Sequence, residues 1–253
     1  MAPNMQRVAD LAIAGYVPLS TIDWPGTLCT TIFLQGCPWA CVYCQNTELM
    51  DPRAQGTVAW QDIQAFLKRR QGLLDGVVFS GGEATRQPAL GAAITQVREL
   101  GFQIGLHSAG AYPARFAEVI NDVDWIGLDI KAMPDGYQPI IGADVGAKAW
   151  QCLDILLAEV ARRKNTDRPL TYEVRTTIYP HSSVARDLPQ IVTALRERGV
   201  ENFALQEARE RGTSERFQEQ AQNWDLAAWR HTWNDLVAQV ENAGFTSAVI
   251  RPA

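Results

Sequence analysis

Short apolar runs alternate with longer segments of helical periodicity along most of this chain. The apolar runs predict strands at residues 30–34, 76–80, 102–107, 124–130, 171–178, 202–206 and 246–250. The segments between them predict helices at about 58–70, 87–100, 113–121, 147–163, 184–198 and 225–243. Such alternation is typical of βαβ units, whose strands pair in parallel and whose crossovers are right-handed. Six strands between residues 30 and 206 are too few for a closed eight-stranded barrel, so the pattern predicts an α/β fold with an open parallel sheet.

Composition places the chain among folded proteins that can bury a large core. It has 253 residues, of which 47% are hydrophobic and 20% are charged, and these values exclude a disordered chain. A chain of this length buries roughly 70–75% of the surface that its unfolded form exposes, so it needs neither metal nor disulfide merely to fold. We expect one domain, 1–253, with a core at about 28–206 and a C-terminal helix and strand within 225–250.

The charge pattern argues against several kinds of partner. The formal net charge is −5, which argues against nonspecific nucleic-acid binding and against a basic membrane-binding surface. There is no run of about 18 apolar residues that could form a transmembrane helix, and residues 1–20 lack the sustained apolar segment of a secretory signal. We therefore expect a cytoplasmic protein, in a compartment that keeps thiols reduced, with no nucleic acid and no membrane among its partners.

Three of the five cysteines lie close together, at Cys37, Cys41 and Cys44. An odd number of cysteines in a reducing compartment argues against a disulfide framework, whereas clustered thiolates suit zinc or an iron–sulfur cluster. A structural zinc site takes four protein ligands, but Cys29 lies in an apolar run and Cys152 is remote in sequence. The missing fourth ligand favours an iron–sulfur cluster with one iron open to an external ligand. A zinc site and three incidental thiols remain the alternatives.

Other candidate residues come directly after predicted strands. One strand leads into Gly81, Gly82 and Glu83, and the next ends at His107 and Ser108. Ligands of parallel sheets bind at the carboxyl ends of the strands. Glycine lets the backbone approach a ligand closely, a carboxylate accepts hydrogen bonds from an ammonium group, and a hydroxyl suits a ribose or a carboxylate. For His107 the alternative is a hydrogen-bonded, partly buried imidazole without a functional role.

The next three strand ends add charged and polar groups. Alternation along a strand places Asp129 and Lys131 on one face, and it does the same for Glu173 and Arg175. The sixth strand ends at Gln206. Core packing alone does not predict polar residues at the same end of every strand, so this coincidence favours a ligand site. A plain salt bridge is the alternative for the Asp129–Lys131 pair.

The spacing of Cys37, Cys41 and Cys44, on a loop after a predicted strand, resembles the C-x3-C-x2-C motif of the radical S-adenosylmethionine (SAM) superfamily. The segment 81–83, one predicted helix and one strand later, resembles the GGE motif of the same superfamily. This resemblance implies an open (β/α)6 partial TIM barrel. It also implies that the three thiolates are catalytic cluster ligands, which hold a [4Fe–4S] cluster whose fourth iron is chelated by the methionine part of SAM.

The resemblance also implies roles for the strand-end residues. The GGE motif seats the methionine amine, and Lys131 and Arg175 are candidates for its carboxylate. Tyr43 is at a position that is often aromatic and lies close to the adenine, although loop packing explains it nearly as well. Asp129 orients Lys131 or a bound monovalent cation. The predicted cofactor-binding residues are Tyr43, Gly81, Gly82, Glu83, Ser108, Asp129, Lys131 and Arg175.

Within the superfamily, residues 21–26 and 34–46 resemble the activating enzymes of glycyl radical enzymes, in particular the anaerobic ribonucleoside-triphosphate reductase activating type. The resemblance extends over about residues 15–206. Two positions depart from the usual pattern. Gln45 stands where histidine is common, which puts in doubt an imidazole near the cluster. Ala84 follows the GGE motif where proline is common, which should mostly loosen one turn.

The resemblance implies a reaction in which a reduced cluster passes one electron to the sulfonium of SAM. Methionine and a 5′-deoxyadenosyl radical form, and the radical takes a hydrogen atom from a glycine of a partner enzyme. The implied partners are a glycyl radical enzyme, such as anaerobic ribonucleotide reductase, and a flavodoxin or ferredoxin-type electron donor. Two other functions stay open: a radical SAM enzyme that acts on a small molecule, similar to 7-carboxy-7-deazaguanine synthase, and a non-enzymatic zinc or electron-transfer protein.

Residues 207–224 form a long polar connection between two predicted elements. We expect a solvated charged loop there, because polar connections of this kind usually lie at the surface. A lid or a partner-docking segment is the alternative, since long loops are often functional.

Overall fold

The computed structural model describes residues 8–253, in which one eight-stranded sheet is flanked by helices. The strands lie in the sheet in chain order, and β1 is antiparallel to β2 while all other neighbours are parallel. They are β1 (Ile13–Ser20), β2 (Cys29–Leu34), β3 (Gly76–Gly81), β4 (Gln103–Ser108), β5 (Trp125–Asp129), β6 (Thr171–Ile178), β7 (Asn202–Glu207) and β8 (Ser247–Arg251). The expected α/β fold with an open, partial barrel is confirmed, with β1 and β8 as the two edges.

Helices connect the parallel strands and cover the outer face of the sheet. In α6, for example, Leu188, Ile191 and Leu195 are buried at the three- and four-residue spacing of one helix side. None of the helices within residues 8–253 is long and apolar enough to cross a membrane. The helices are α1 (Trp60–Lys68), α2 (Leu90–Glu99), α3 (Pro113–Val119), α4 (Gln138–Ile141), α5 (Gly146–Arg163), α6 (Ser183–Glu197), α7 (Glu215–Ala221) and α8 (Leu226–Glu241).

The strands and helices predicted from the sequence are all present, with ends within three residues of the expected ones. Strand β1 was not predicted, because it is a half-exposed edge strand that contains Gly15 and Pro18 and lacks a clear alternation of buried and exposed residues. The short helices α4 and α7 were not predicted either. Helix α7 lies within residues 207–224 and buries Phe217, so the expectation of a solvated loop throughout that segment is wrong.

Two tryptophans fill the interior of the sheet near the amino-terminal ends of the strands. The ring of Trp24, from the β1–β2 connection, stacks on Trp125 with 5.7 Å between ring centroids. A Cβ on Gly76 or on Gly105 would lie 2.9 Å from a Trp24 ring atom, closer than atoms approach in a well-packed core. The two glycines therefore make room for Trp24, and the space that remains in the barrel lies toward the carboxyl ends of the strands.

Candidate active site

A cavity of about 480 Å³ lies at the carboxyl ends of the parallel strands, within the usual range for small-molecule sites. It is lined by residues at the ends of β3 to β8 and by the loop after β2. Glu83 is the one predicted site residue that does not line it. The predicted residues that line the cavity are Cys37, Cys41, Tyr43, Cys44, Gly81, Gly82, Ser108, Asp129, Lys131 and Arg175.

Backbone hydrogen bonds join the two ends of the cysteine loop, residues 35–50, and anchor its middle to α4. The Cys37 N–H donates to the Met50 carbonyl at 3.1 Å, and the Val42 N–H donates to the carbonyl of Ile140 in α4 at 3.0 Å. Because α4 supplies one of these anchors, a four-residue helix that the sequence did not predict contributes to the shape of the loop. The backbone of this loop is therefore positioned by the protein itself.

The cysteine thiols have the chemistry that an iron–sulfur cluster requires. Cys37, Cys41 and Cys44 are free, partly exposed and lie on the same cavity. Burial raises the pKa of Cys37 to about 12 and also raises that of Cys41, so these thiols stay protonated until a metal displaces the proton. Cys29 and Cys152 are fully buried and do not line the cavity. Three soft sulfur ligands without a fourth fit a [4Fe–4S] cluster that has one open iron.

A cluster and a single zinc ion place different demands on the three thiols. Within residues 8–253, no three His, Cys, Asp or Glu side chains converge on one metal position. In a zinc site all sulfur ligands lie about 2.3 Å from the same ion, whereas each cysteine of an iron–sulfur cluster can bind a different iron. The cysteine loop therefore needs no common metal position to supply three ligands to a cluster.

The two glycines of the GGE motif bring the end of β3 against the start of the cysteine loop. A Cβ on Gly81 would lie 2.3 Å from the Leu34 nitrogen, and one on Gly82 would lie 2.4 Å from the Gly36 carbonyl oxygen. Gly81 also has a φ of +115°, which side-chain-bearing residues rarely adopt. Only glycine permits this contact, and it leaves bare backbone on the cavity wall.

The Glu83 carboxylate is fully buried behind the cavity wall. Its Oε1 accepts hydrogen bonds from the Thr85 N–H, the Thr85 hydroxyl and the Ser108 hydroxyl, and its Oε2 accepts one from the Ala109 N–H. Burial raises the pKa of this carboxyl, although the hydrogen bonds oppose the shift. Glu83 thus ties the ends of β3 and β4 together. A carboxylate oxygen can accept two hydrogen bonds, and Oε2 accepts one. That Glu83 also accepts a hydrogen bond from an ammonium group stays a prediction.

Asp129, the last residue of β5, lies between two cations, Lys131 after the same strand and Arg175 within β6. Its Oδ2 is 3.0 Å from Lys131 Nζ and its Oδ1 is 2.9 Å from Arg175 Nε. Burial opposes ionisation of Asp129, but the charges of Lys131 and Arg175 hold its pKa well below the usual range. Burial likewise opposes the charge on Lys131, but Asp129 raises its pKa well above the usual value. The three groups carry one net positive charge beside the cavity, which suits an anionic ligand.

A second ion pair on the wall was not predicted in full. Glu173 lines the cavity as expected from its face of β6, and the Arg251 guanidinium donates to both of its oxygens at 2.7 and 2.8 Å. Arg251 ends β8, and the last 45 residues contain no motif that marks it. The available signal was its position at the carboxyl end of a predicted strand, which is where ligand-binding residues of parallel sheets lie.

His107 is a hydrogen-bonded imidazole on the cavity wall. Its Nε2 is 2.7 Å from the Asp23 carbonyl oxygen and its Nδ1 is 3.2 Å from Ser80 Oγ. A carbonyl oxygen only accepts, so Nε2 carries the proton and Nδ1 accepts from the Ser80 hydroxyl. Burial, together with the charge of Arg175, lowers the pKa of His107 to about 4. These contacts match the structural alternative for His107.

The lowered pKa of His107 predicts a loss of stability on mild acidification. An unfolded histidine has a pKa of about 6.5, so between pH 6.5 and 4 the unfolded chain binds a proton that the folded protein does not. The free energy of unfolding should therefore fall as the pH falls, by about 2 kcal/mol from pH 7 to 5. Chemical denaturation of the apoprotein at several pH values measures this effect. In His107→Gln the contribution should be absent, and equal pH slopes in both proteins would contradict the assignment.

Curated relatives share sequence with this chain over most of its core. A Methanocaldococcus jannaschii protein, named as a proposed glycyl-radical enzyme activating enzyme, is 28% identical over 206 residues, which cover 77% of this chain and 79% of that protein. The pyruvate formate-lyase-activating enzyme of Clostridium pasteurianum is 28% identical over 151 residues, which cover 52% of this chain and 63% of that enzyme. This chain therefore spans less than two thirds of the second relative.

The fold and the family agree with this similarity. The crystal structure of Streptococcus suis SuiB bound to S-adenosylmethionine superposes with a TM-score of 0.60 over 87% of this chain and 48% of that one, at 11% identity. The family model of the Radical SAM superfamily matches residues 31–170, which are more than half of the chain. Enzymes of this family use a [4Fe–4S] cluster and SAM, the two cofactors predicted from the cysteine motif. The chain belongs to the radical SAM superfamily.

Proposed function

We propose that this protein is an activating enzyme that cleaves SAM reductively at a [4Fe–4S] cluster and generates a glycyl radical on an anaerobic ribonucleotide reductase. The observation that carries the proposal is the cavity, where three thiols, joined by no other cysteine of residues 8–253, and the cations around Asp129 line one space. The names of the two curated relatives support an activating enzyme. The resemblance of residues 21–26 and 34–46 supports the reductase as its partner.

When bound, the cluster and SAM supply a one-electron cleavage that yields methionine and a 5′-deoxyadenosyl radical, which takes a hydrogen atom from the substrate. Cys37, Cys41 and Cys44 would each hold one iron of the cluster. The ring of Tyr43 lies within the same loop, buried and close to Lys131 Nζ, which is 5.4 Å from its centroid. This ring would pack beside the adenosine part of SAM. The protein's contribution is to hold the reacting groups together and to keep water away from them.

The methionine part of SAM carries an ammonium and a carboxylate, and the cavity offers partners for both. Lys131 and Arg175 together carry one charge more than Asp129 neutralises, which suits the carboxylate. The bare backbone at Gly82 suits the ammonium group. Glu83 supports this arrangement because it keeps the ends of β3 and β4 in place. Ser108, whose hydroxyl donates to Glu83 and also lines the cavity, would lie close to the same ligand.

The wall formed by β6 to β8 suits a neutral substrate. The charges of Glu173 and Arg251 compensate each other through a bidentate ion pair. A second acid there, Glu207, accepts hydrogen bonds from the Trp229 indole N–H and from the Ala253 N–H. Arg209 lines this side of the cavity as well and offsets the charge of Glu207, so the wall does not require a charged ligand. The backbone of a glycine-containing loop is a neutral substrate of this kind.

Two further partners follow from the reaction. Each cleavage consumes one electron, so the enzyme needs a protein reductant, and we expect a flavodoxin or a ferredoxin-type donor. A reducing cytoplasm would keep the three thiols available for the cluster. Neither nucleic acid nor membrane takes part in the proposed reaction, in agreement with the net charge of −5.

A radical-transfer assay tests the proposed function. Reconstituted and reduced protein, mixed with SAM and a purified anaerobic ribonucleotide reductase, should produce a glycine-centred electron paramagnetic resonance signal and about one 5′-deoxyadenosine per radical. A reductase in which the acceptor glycine is replaced by alanine is the control, and it should give no signal. Cleavage of SAM without a glycyl radical, but with turnover of a purine-like metabolite, would instead support an enzyme that acts on a small molecule.

A further inference from the structure

Residues 209–224, which follow β7 and which we call the cap segment, touch the cysteine loop directly. Gly212 has a φ of +84°, and a Cβ there would lie 2.8 Å from the carbonyl oxygen of Gln45, the residue after Cys44. Real side chains do not approach a backbone oxygen so closely, so only glycine permits this contact. Arg209, at the start of the cap segment, lines the cavity together with Gln45.

A series of aromatic rings connects the cap segment with the cysteine loop. The ring of Tyr43, within the cysteine loop, lies 5.8 Å from the ring of Tyr179. Tyr179 lies 5.3 Å from Phe217 and 6.1 Å from Trp224, both in the cap segment. Phe217 is only 1% exposed. The cap segment is therefore packed against the cysteine loop by a cluster of buried and half-buried aromatic rings, in addition to the contact of Gly212.

We propose that the cap segment holds the cysteine loop in the conformation that binds the cluster, with Gly212 and Tyr179 as positioning residues. The beginning and middle of the loop are already anchored through Cys37 and Val42. The part of the loop between Val42 and Met50, which carries Cys44, instead contacts the cap segment at Gln45. The proposal concerns how the chain holds its cluster, and it is independent of the substrate on which the enzyme acts.

Thiol labelling of the full-length apoprotein tests the role of Gly212. In Gly212→Ala the added Cβ must displace either the cap segment or Gln45. Gly199→Ala is the matched control, because Gly199 also has a φ of +84° but a Cβ there has nothing within 4 Å. Alkylation followed by mass spectrometry should show Cys44 reacting about tenfold faster in Gly212→Ala than in the control, with smaller changes at Cys37 and Cys41, as expected for a local opening.

The two buried cysteines separate local from global effects in the same experiment. Cys29 and Cys152 are fully buried outside the loop, so their alkylation reports on general unfolding. Under the proposal their rates are the same in Gly212→Ala and in Gly199→Ala. If all five cysteines react faster, or if the loop cysteines react equally in the two variants, the positioning role is refuted.

Variants of Tyr179 test the aromatic contact on the reconstituted protein. The release of iron to a chelator, followed by the loss of the cluster's visible absorbance, should be about tenfold faster in Tyr179→Leu than in the unmodified protein. Tyr179→Phe keeps the ring and should restore the slow rate. Equal rates of iron release in Tyr179→Leu and Tyr179→Phe would overturn the proposal, whether or not glycyl radical is formed.

Discussion

Replacement of Cys41 by alanine is expected to reduce SAM cleavage to background while the protein remains folded. The side chain would supply one of only three thiolates around the cluster, and no other cysteine lines the cavity. The fold does not depend on the cluster, because the large apolar core is formed by the sheet and its helices. Iron content and 5′-deoxyadenosine formation measure the loss, and thermal unfolding of the apoprotein measures the fold.

Cys152→Ala is the matched control for this experiment. Cys152 is fully buried in α5, so its replacement leaves a small cavity and should cost about 1 kcal/mol of stability. The control is therefore expected to be less stable than Cys41→Ala, yet to keep its cluster and its activity. A folded Cys41→Ala protein that still cleaves SAM would refute the assignment of Cys41 as a ligand.

Glu83→Gln is expected to weaken SAM binding by about tenfold and to destabilise the protein by about 1–3 kcal/mol. The two carboxylate oxygens accept from two different backbone N–H groups, those of Thr85 and Ala109. A glutamine has a single oxygen, so in either orientation its amide NH2 faces one buried N–H donor. The ends of β3 and β4 should then separate at the cavity wall. Cluster assembly should change little, because the carboxylate accepts its hydrogen bonds from Thr85, Ser108 and Ala109 rather than from the cysteine loop.

Glu118→Gln provides the reference for the same change of charge. Glu118 is exposed on α3, so its replacement should alter neither stability nor SAM affinity by a measurable amount. Equilibrium binding of SAM to the reconstituted proteins and denaturation of the apoproteins give the two quantities. If Glu83→Gln behaves like Glu118→Gln in both, the carboxylate does not hold the cavity wall together.

The parts of the fold that the sequence predicted are those whose signal is local. Each parallel strand is a short apolar run, because both of its faces are buried, and such a run can be recognised without knowing its neighbours. Strand β1 gives no such signal, since one side of it is exposed at the sheet edge. Helix α7 was not predicted for a related reason. Its one large buried residue, Phe217, stands among polar residues, so the segment has no helical spacing of large apolar residues.

The candidate site likewise contains residues whose grouping the sequence predicted and one residue whose contacts it did not. Cys37, Cys41 and Cys44 lie on one loop, so their spacing alone indicates a shared metal, and the alternation in β5 places Asp129 and Lys131 together. The arrangement of Glu83 could not be predicted in this way. Its partners follow the next strand, and whether a carboxylate faces a cavity or the wall behind it depends on how two strand ends pack.

The sequence by itself determined the βα alternation, the open parallel sheet and the three thiols that identify the superfamily. Each strand, each helix and the cysteine motif has a signal that lies in residues close together along the chain. Only the tertiary structure decided which distant groups meet. Glu173 and Arg251 are 78 residues apart in sequence. Gly212, which follows β7, contacts Gln45, which follows β2. Such contacts arise when the sheet curls and its loops pack, and the free energy of that packing is shared by the whole core rather than by any single segment.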